Sequence, residues 1–195
     1  MRVLVVHAHP VEESFNRALF RTVVARLEAA GHELKIADLY ADGFDPVLRR
    51  EERLAYHDTT VNRAPVQGYV DQLMWAEAVV FVFPVWTFGL PAILKGWFDR
   101  VLMPGVAFHI DGSGNVSVGL RHIRKIAAVT TYGRPWWLVK FGVGDFPKGV
   151  VTRYFRRLCA KGVETLYLAH YHMNKSTPES RAAFLAKVDR RMAAF

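Results

Sequence analysis

The chain has 195 residues and a mass of 22.2 kDa, enough for one domain of ordinary size and too little for two. Hydrophobic residues make up 51% and charged residues 23%, a balance that excludes a disordered chain and a disulfide scaffold. No apolar stretch reaches the roughly 18 residues of a membrane-spanning helix. The apolar run at the N-terminus is too short for a signal peptide and predicts a strand. We therefore expect a single domain over residues 1–195, without an integral membrane segment.

The 26 basic and 18 acidic residues give a net charge of +8, which favours anionic partners such as phosphorylated cofactors. The basic residues are scattered, and no zinc-finger spacing or RNA-binding motif is present. We therefore expect no nucleic-acid partner and no metal site. The single cysteine, Cys159, lies in an apolar helical context and predicts a buried thiol in a reducing compartment, the cytoplasm.

Strand-like and helix-like segments alternate along the chain. Strands are predicted at 2–6, 33–39, 78–83, 126–131 and 163–169, and helices at 14–30, 66–75, 92–102, 147–160 and 178–194. A short helical piece is expected near 51–56, an extended excursion or hairpin with its turn at 112–115, and an aromatic-rich loop after the fourth strand. This alternation predicts a parallel sheet with helices on both faces, which binds its ligand at the carboxyl ends of the strands.

The loop after the first predicted strand, residues 7–16, carries polar side chains into the start of a helix. It contains neither a Gly-rich dinucleotide fingerprint nor a P-loop. Ser14 and Asn16 stand where free backbone N–H groups favour an anion, so they could hold a phosphate together with His9. The alternative is that Ser14 only caps the helix and His9 is structural.

Two further loops follow the third and fourth predicted strands. Residues 84–91, PVWTFGLP, form an aromatic turn whose backbone can bond the polar edge of a flat heteroaromatic ring. The alternative is that Trp86 and Phe88 belong to the core or to a subunit interface. Residues 130–133 offer two hydroxyls and a glycine near the same ring. Together the three loops favour a flavin nucleotide.

The motifs AHPVEESFN (8–16), FPVWTFGLPAILKGWFDRVL (83–102) and TTYG (130–133) resemble those of the flavodoxin-like NAD(P)H:quinone oxidoreductases, the family that includes the DT-diaphorases. The resemblance implies an α/β three-layer sandwich with a five-stranded parallel sheet in the order 2-1-3-4-5. It also implies bound FAD or FMN, NAD(P)H as co-substrate, a small quinone-like acceptor, ping-pong hydride transfer and a homodimer. The apolar stripe of the helix at 92–102 suits either a subunit interface or an intramolecular core.

The resemblance also assigns site residues by motif match. The implied flavin contacts are His9, Ser14, Phe15, Asn16, Pro84, Val85, Trp86, Thr87, Phe88, Thr130, Thr131, Tyr132, Gly133 and Arg181. Arg181 is similar to a family arginine near the FAD diphosphate, which favours FAD over FMN. Relatives often carry Trp where Thr87 stands, which leaves ring stacking to Trp86 or Phe88. Phe108 and Trp86 are expected in the substrate pocket, Phe108 at its mouth.

The chain departs from longer relatives after TTYG. They are proposed to use a tyrosine and a histidine for charge relay there, and neither has a match in WWLVKFGVGDF (136–146). Tyr132 and Lys140 are the hypothesised substitutes, and Tyr132 is the candidate catalytic residue. Two alternative functions stay open: a flavodoxin-type electron carrier, against which the basic charge counts, and an ancillary regulatory flavoprotein of a potassium-efflux system.

Overall fold

The computed structural model describes all residues, Met1–Phe195, and is built around one parallel sheet. The strands are β1 (Arg2–His7), β2 (Glu33–Asp38), β3 (Ala78–Val85), β4 (Phe108–Ile110), β5 (Val116–Val118), β6 (Lys125–Tyr132) and β7 (Glu164–His170). Five of them form the sheet in the order β2-β1-β3-β6-β7, while β4 and β5 form a separate antiparallel hairpin. Counting only the sheet strands, this order is the predicted 2-1-3-4-5, so the expected flavodoxin-like fold is confirmed.

Helices cover both faces of the sheet. They are α1 (Phe15–Ala29), α2 (Arg50–Leu54), α3 (Gln67–Trp75), α4 (Ala92–Val101), α5 (Phe146–Gly149), α6 (Arg156–Leu158) and α7 (Pro178–Ala193). A π-helical stretch, Val150–Phe155, joins α5 to α6 in one helical segment, 146–158. Side chains of α1 and α7 pack on one face of the sheet, and those of α3, α4 and segment 146–158 pack on the other. No helix is both long and apolar enough to span a bilayer.

Aromatic packing fixes α4 and segment 146–158 against the sheet. The ring of Phe81 lies 5.9 Å from that of Trp97, 5.3 Å from Phe98 and 5.2 Å from Phe155, mostly edge to face. The whole apolar stripe of α4 is buried in this core of its own chain. Of the two interpretations of that stripe, the structure therefore supports the intramolecular core.

The main difference from the sequence-based elements lies between the fourth sheet strand and α5. The sequence predicts a loop there, whereas Leu138–Val143 forms a π-helical turn. The apolar residues of this turn do not recur with the 3.6-residue period of an α-helix, so the sequence pattern does not predict a helical turn. The excursion near 107–120 is the β4–β5 hairpin. Cys159 is buried as predicted, and burial raises the pKa of its thiol to about 12.

Candidate functional site

A groove of about 640 Å³ opens at the carboxyl ends of β1, β3 and β6. The strand order reverses between β1 and β3, the place where parallel α/β sheets bind ligands. The volume falls within the roughly 300–1,000 Å³ of small-molecule sites. The groove is lined by His9, Ser14, Phe15, Asn16, Pro84, Val85, Trp86, Thr87, Thr131, Gly133, Met173 and Asn174. The structure thus brings together residues from all three loops singled out in the sequence.

The start of α1 presents unpaired polar groups to this groove. Ser14 caps the helix, because its Oγ accepts the N–H of Arg17 at 3.0 Å. The backbone N–H groups of Phe15 and Asn16 have no acceptor in the protein, as expected for the first turn of a helix. The Asn16 side chain is 3% exposed, and neither its Nδ2 nor its Oδ1 has a partner. A buried amide without partners is costly unless a ligand satisfies it.

His9 adds a further donor on the same side. Its Nδ1 accepts the backbone N–H of Val11 at 3.0 Å, which leaves the ring proton on Nε2. Burial lowers the pKa of His9, so the neutral ring prevails at pH 7. The ring lies 5.7 Å from that of Trp86, which joins the helix start to the loop after β3.

That loop is a tight turn with a strained backbone. Trp86 and Gly89 exchange backbone hydrogen bonds of 3.3 Å and 2.9 Å, and the two residues between them, Thr87 and Phe88, have φ of 48° and 58°. Two positive φ values define a type I′ turn, which normally holds Asn or Gly rather than a β-branched or aromatic residue. The N–H groups of Thr87 and Phe88 bond no other group of the protein. Strain of this kind concentrates at binding and catalytic sites.

The end of β6 closes the groove opposite that turn. Thr131 and Gly133 line it, whereas Thr130 points to the other face of the sheet because side chains alternate along a strand. A Cβ at position 133 would lie 3.0 Å from Oδ1 of Asn174. A side chain at position 133, directly after β6, would therefore crowd Asn174, which also lines the groove.

Tyr132 does not occupy the position expected of a catalytic residue. Its side chain is 1% exposed on the face away from the groove, and its hydroxyl donates to Asp145 Oδ1 at 2.5 Å. The hydroxyl of Tyr167, 2.6 Å away, then donates to Tyr132 Oη. Burial and these neighbours raise the pKa of Tyr132 far above its ordinary value. In this position the hydroxyl of Tyr132 holds the segment that follows β6, and proton transfer by this side chain stays a hypothesis.

Four other expected residues also lie outside the groove lining. Arg181 donates through Nη1 to the carbonyl and hydroxyl oxygens of Ser176, at 3.3 and 2.9 Å. Phe108 lies half-buried against the core, and Phe88 is half-buried and is not among the residues that line the groove. Lys140 lies with its ammonium group 5.1 Å from the Phe141 ring centroid. The contact that favoured FAD over FMN is thus not reproduced by the groove.

The sequence reasoning missed Met173 and Asn174, which line the groove from the loop after β7. The preceding residue, His172, has a φ of 65°. A signal was present, since the predicted order places the fifth strand beside the fourth and its loop at the same edge.

Comparisons with known proteins place this geometry in a family. A family model described as a flavodoxin-like fold matches residues 1–194. A ribosyldihydronicotinamide dehydrogenase (quinone) of Pongo abelii is 35% identical over 171 residues, 79% of this chain and 71% of that protein. A ribosyldihydronicotinamide dehydrogenase-like protein traD of Penicillium crustosum is 39% identical over 120 residues, 54% of this chain but only 45% of that protein.

Solved structures agree over the whole chain. Smu.1420 from Streptococcus mutans superposes with a TM-score of 0.88 at 28% identity, covering 100% of both chains. An NAD(P)H:quinone oxidoreductase from Methanothermobacter marburgensis gives 0.81 at 25% identity, covering 99% of this chain and 98% of the other. The chain belongs to the flavodoxin-like family in which these quinone oxidoreductases fall, as the motif resemblance implied.

Proposed function

We propose that the chain is a flavin-dependent NAD(P)H:quinone oxidoreductase that works as one domain, as a homodimer and in the cytoplasm. The observation that carries the proposal is the groove between β1 and β3, in which unpaired donors from separate loops face one volume of about 640 Å³. The names of the relatives from Pongo abelii and Methanothermobacter marburgensis support the same reaction class.

The residues present fit a flavin nucleotide. At one end, the unpaired N–H groups of Phe15 and Asn16, the Asn16 amide and the His9 Nε2–H would hold a phosphate at the positive end of α1. At the other end, the free N–H groups in the 86–89 turn would meet the polar edge of the ring system, beside the exposed face of Trp86. The groove therefore offers one end that suits an anionic phosphate and another that suits a flat ring.

When bound, the flavin would accept hydride from NAD(P)H and pass it to the quinone, the two substrates using the same position in turn. The protein groups would then bind and orient the flavin and stabilise the charge that develops on it. Trp86 and the 86–89 turn would keep the ring flat and exclude water from one face. The N–H groups of Thr87 and Phe88 are fixed donors, and fixed donors stabilise developing negative charge without reorganisation. Gly133 admits close backbone approach.

The homodimer belongs to this proposal because of Phe108. That residue lies outside the groove lining of its own chain, so only the groove of a second copy would give it the substrate-pocket place implied by the resemblance. Light scattering on the purified protein should give twice the chain mass. A monomer that reduces quinones at full rate would contradict both the homodimer and the place of Phe108 in the substrate pocket.

The test of activity is steady-state kinetics with a soluble quinone and either NADH or NADPH. We expect turnover and parallel double-reciprocal lines, the signature of a ping-pong sequence. Trp86→Ala should weaken flavin binding about tenfold, since loss of aromatic stacking costs about 1–3 kcal/mol. Trp137→Ala, which removes an exposed indole outside the groove, is the matched control and should leave it unchanged. Flavin-loaded protein without turnover would instead support the electron-carrier or regulatory alternative.

A further inference from the structure

A cluster of polar side chains lies at the start of α1 but does not line the groove. Its members are His7 at the end of β1, Asp38 at the end of β2 and Arg17 in the first turn of α1. The His7 side chain is fully buried, and those of Asp38 and Arg17 are only 12% and 17% exposed. Charges buried to this extent are costly unless they are paired. We call these three residues the α1 cluster.

Arg17 makes most of the contacts in the α1 cluster. Its Nη1 donates to Oδ2 of Asp38 and lies 3.3 Å from Nδ1 of His7. On the other side, its guanidinium forms a two-point ion pair with Glu12, from Nε to Oε2 at 2.8 Å and from Nη2 to Oε1 at 2.8 Å. Its backbone N–H donates to Oγ of Ser14 at 3.0 Å. One residue thus ties the loop after β1 to the carboxyl ends of both β1 and β2.

The ring of Phe20 supports this arrangement from within α1. The His7 imidazole stacks on it with centroids 4.4 Å apart, and the Arg17 guanidinium carbon lies 4.9 Å from its centroid. Burial outweighs the neighbouring Asp38 carboxylate and lowers the pKa of His7, so the imidazole is neutral at pH 7. Arg17 is therefore the only charged partner of Asp38 within 4.0 Å.

The α1 cluster adjoins the end of the groove to which the proposed function assigns a flavin phosphate. His7 stands two residues before His9, and Arg17 directly follows Asn16; both His9 and Asn16 line the groove. Without Arg17, Asp38 would be a buried carboxylate without a counter-charge close to that end. A carboxylate in this state would repel a phosphate.

We propose that Arg17 is the positioning residue of the phosphate end of the groove, although it does not touch the flavin. Its two-point pair with Glu12 fixes the loop that carries His9 and Ser14, and its pair with Asp38 neutralises a charge that would oppose the phosphate. The inference rests on the proposed function, which brings the phosphate to this place.

A cluster that only stabilised the fold would behave differently. Its loss would lower the free energy of unfolding and would weaken the binding of every flavin alike, with or without a phosphate. A positioning role acts on the phosphate alone, and riboflavin shares the ring system of FMN but lacks the phosphate. Salt also separates the two roles, because it screens repulsion between charges and leaves packing unchanged.

The test is fluorescence titration of the flavin-free full chain with FMN and with riboflavin. Arg17→Gln should weaken FMN binding at least about tenfold and riboflavin binding less than about threefold, because the unpaired Asp38 carboxylate repels only the phosphate. High salt should reduce the loss for FMN. The matched control Arg26→Gln removes the same charge from the last turn of α1, where Arg26 pairs with Asp189 at 2.6 Å, and should leave both affinities unchanged.

The double variant Arg17→Gln/Asp38→Asn keeps the test decisive if the single variant folds poorly, because it leaves no unpaired charge in the α1 cluster. It should bind FMN about threefold more weakly than wild type, since Glu12 has lost its two-point partner, and riboflavin as wild type does.

Equal losses for FMN and riboflavin in either variant, or unchanged FMN binding by Arg17→Gln, would overturn the proposal. A wild-type chain that binds neither flavin would contradict the proposed function itself. A wild-type chain that binds FMN, with variants that show no selectivity for the phosphate, would overturn only the positioning role of Arg17.

Discussion

Replacing Asn16 with alanine tests whether the groove holds a ligand. In the protein alone, the Asn16 amide is buried at the start of α1 with both polar atoms unpaired. If the groove binds a flavin phosphate, those atoms gain partners only in the complex. Asn16→Ala should therefore have opposite effects on the stability of the free protein and on its affinity for flavin.

The magnitudes follow from the unpaired atoms. Removing a buried unsatisfied amide relieves about 1–3 kcal/mol, and alanine is better in a helix by about 0.5 kcal/mol. The lost packing costs about 1 kcal/mol, so the free protein should gain about 1 kcal/mol, or about 2–4 °C in Tm. Two lost hydrogen bonds to the ligand cost about 2 kcal/mol, which is roughly a 30-fold weaker Kd.

The assay is thermal unfolding of flavin-free protein together with titration by FMN. Asn62→Ala is the matched control, because Asn62 is also buried but its Nδ2 donates to the carbonyl oxygens of Tyr56 and Pro104 at 3.0 and 2.9 Å. That variant should lose about 2 kcal/mol of stability and keep its flavin affinity. The reasoning is refuted if Asn16→Ala destabilises the free protein while leaving the Kd for flavin unchanged.

Three further substitutions check the packing and the site. In Gly96→Ala the new Cβ would collide with the carbonyl oxygen of Pro46, so urea unfolding should show a loss of about 3 kcal/mol. Gly68→Ala, whose new Cβ meets open space in α3, is the control and should lose nothing. Thr87→Gly relieves a φ of 48° and should raise the free energy of unfolding by up to about 1 kcal/mol in the same assay; a clear loss would show that the turn is unstrained. Tyr132→Phe removes a buried hydroxyl from two hydrogen bonds and should cost about 2 kcal/mol of stability, with stopped-flow rates of both half-reactions unchanged. Slower half-reactions at unchanged stability would instead support the catalytic role of Tyr132.

The fold was predictable because its signals are local. The sheet strands are short apolar runs such as AVVFVF at 78–83, and the segments between them carry apolar residues at helical spacing. Parallel strands need crossovers, so alternation alone predicts the layers. The π-helical stretches were not predictable, because they break the periodicity on which such reasoning depends.

The site was predictable to the level of its loops, not of every side chain. Loops after neighbouring parallel strands meet at one edge of the sheet, which is how His9 and Thr131 come to share a groove. Side chains alternate between the two faces of the sheet along TTYG, and the motif alone does not tell which residues face the groove. Tyr132 lies on the face away from it. The positive φ values at Thr87 and Phe88 had no sequence signal, since neither residue type favours them.

The central claim is that the groove binds a flavin nucleotide, and titration of the purified protein with FMN and with FAD tests it most directly. Protein fluorescence reports on Trp86, flavin fluorescence reports on the ring, and released cofactor can be weighed by mass spectrometry. The account predicts saturation at one flavin per chain, quenching of both signals and a raised Tm. Unquenched fluorescence and an unchanged Tm at saturating concentrations of both flavins would contradict it.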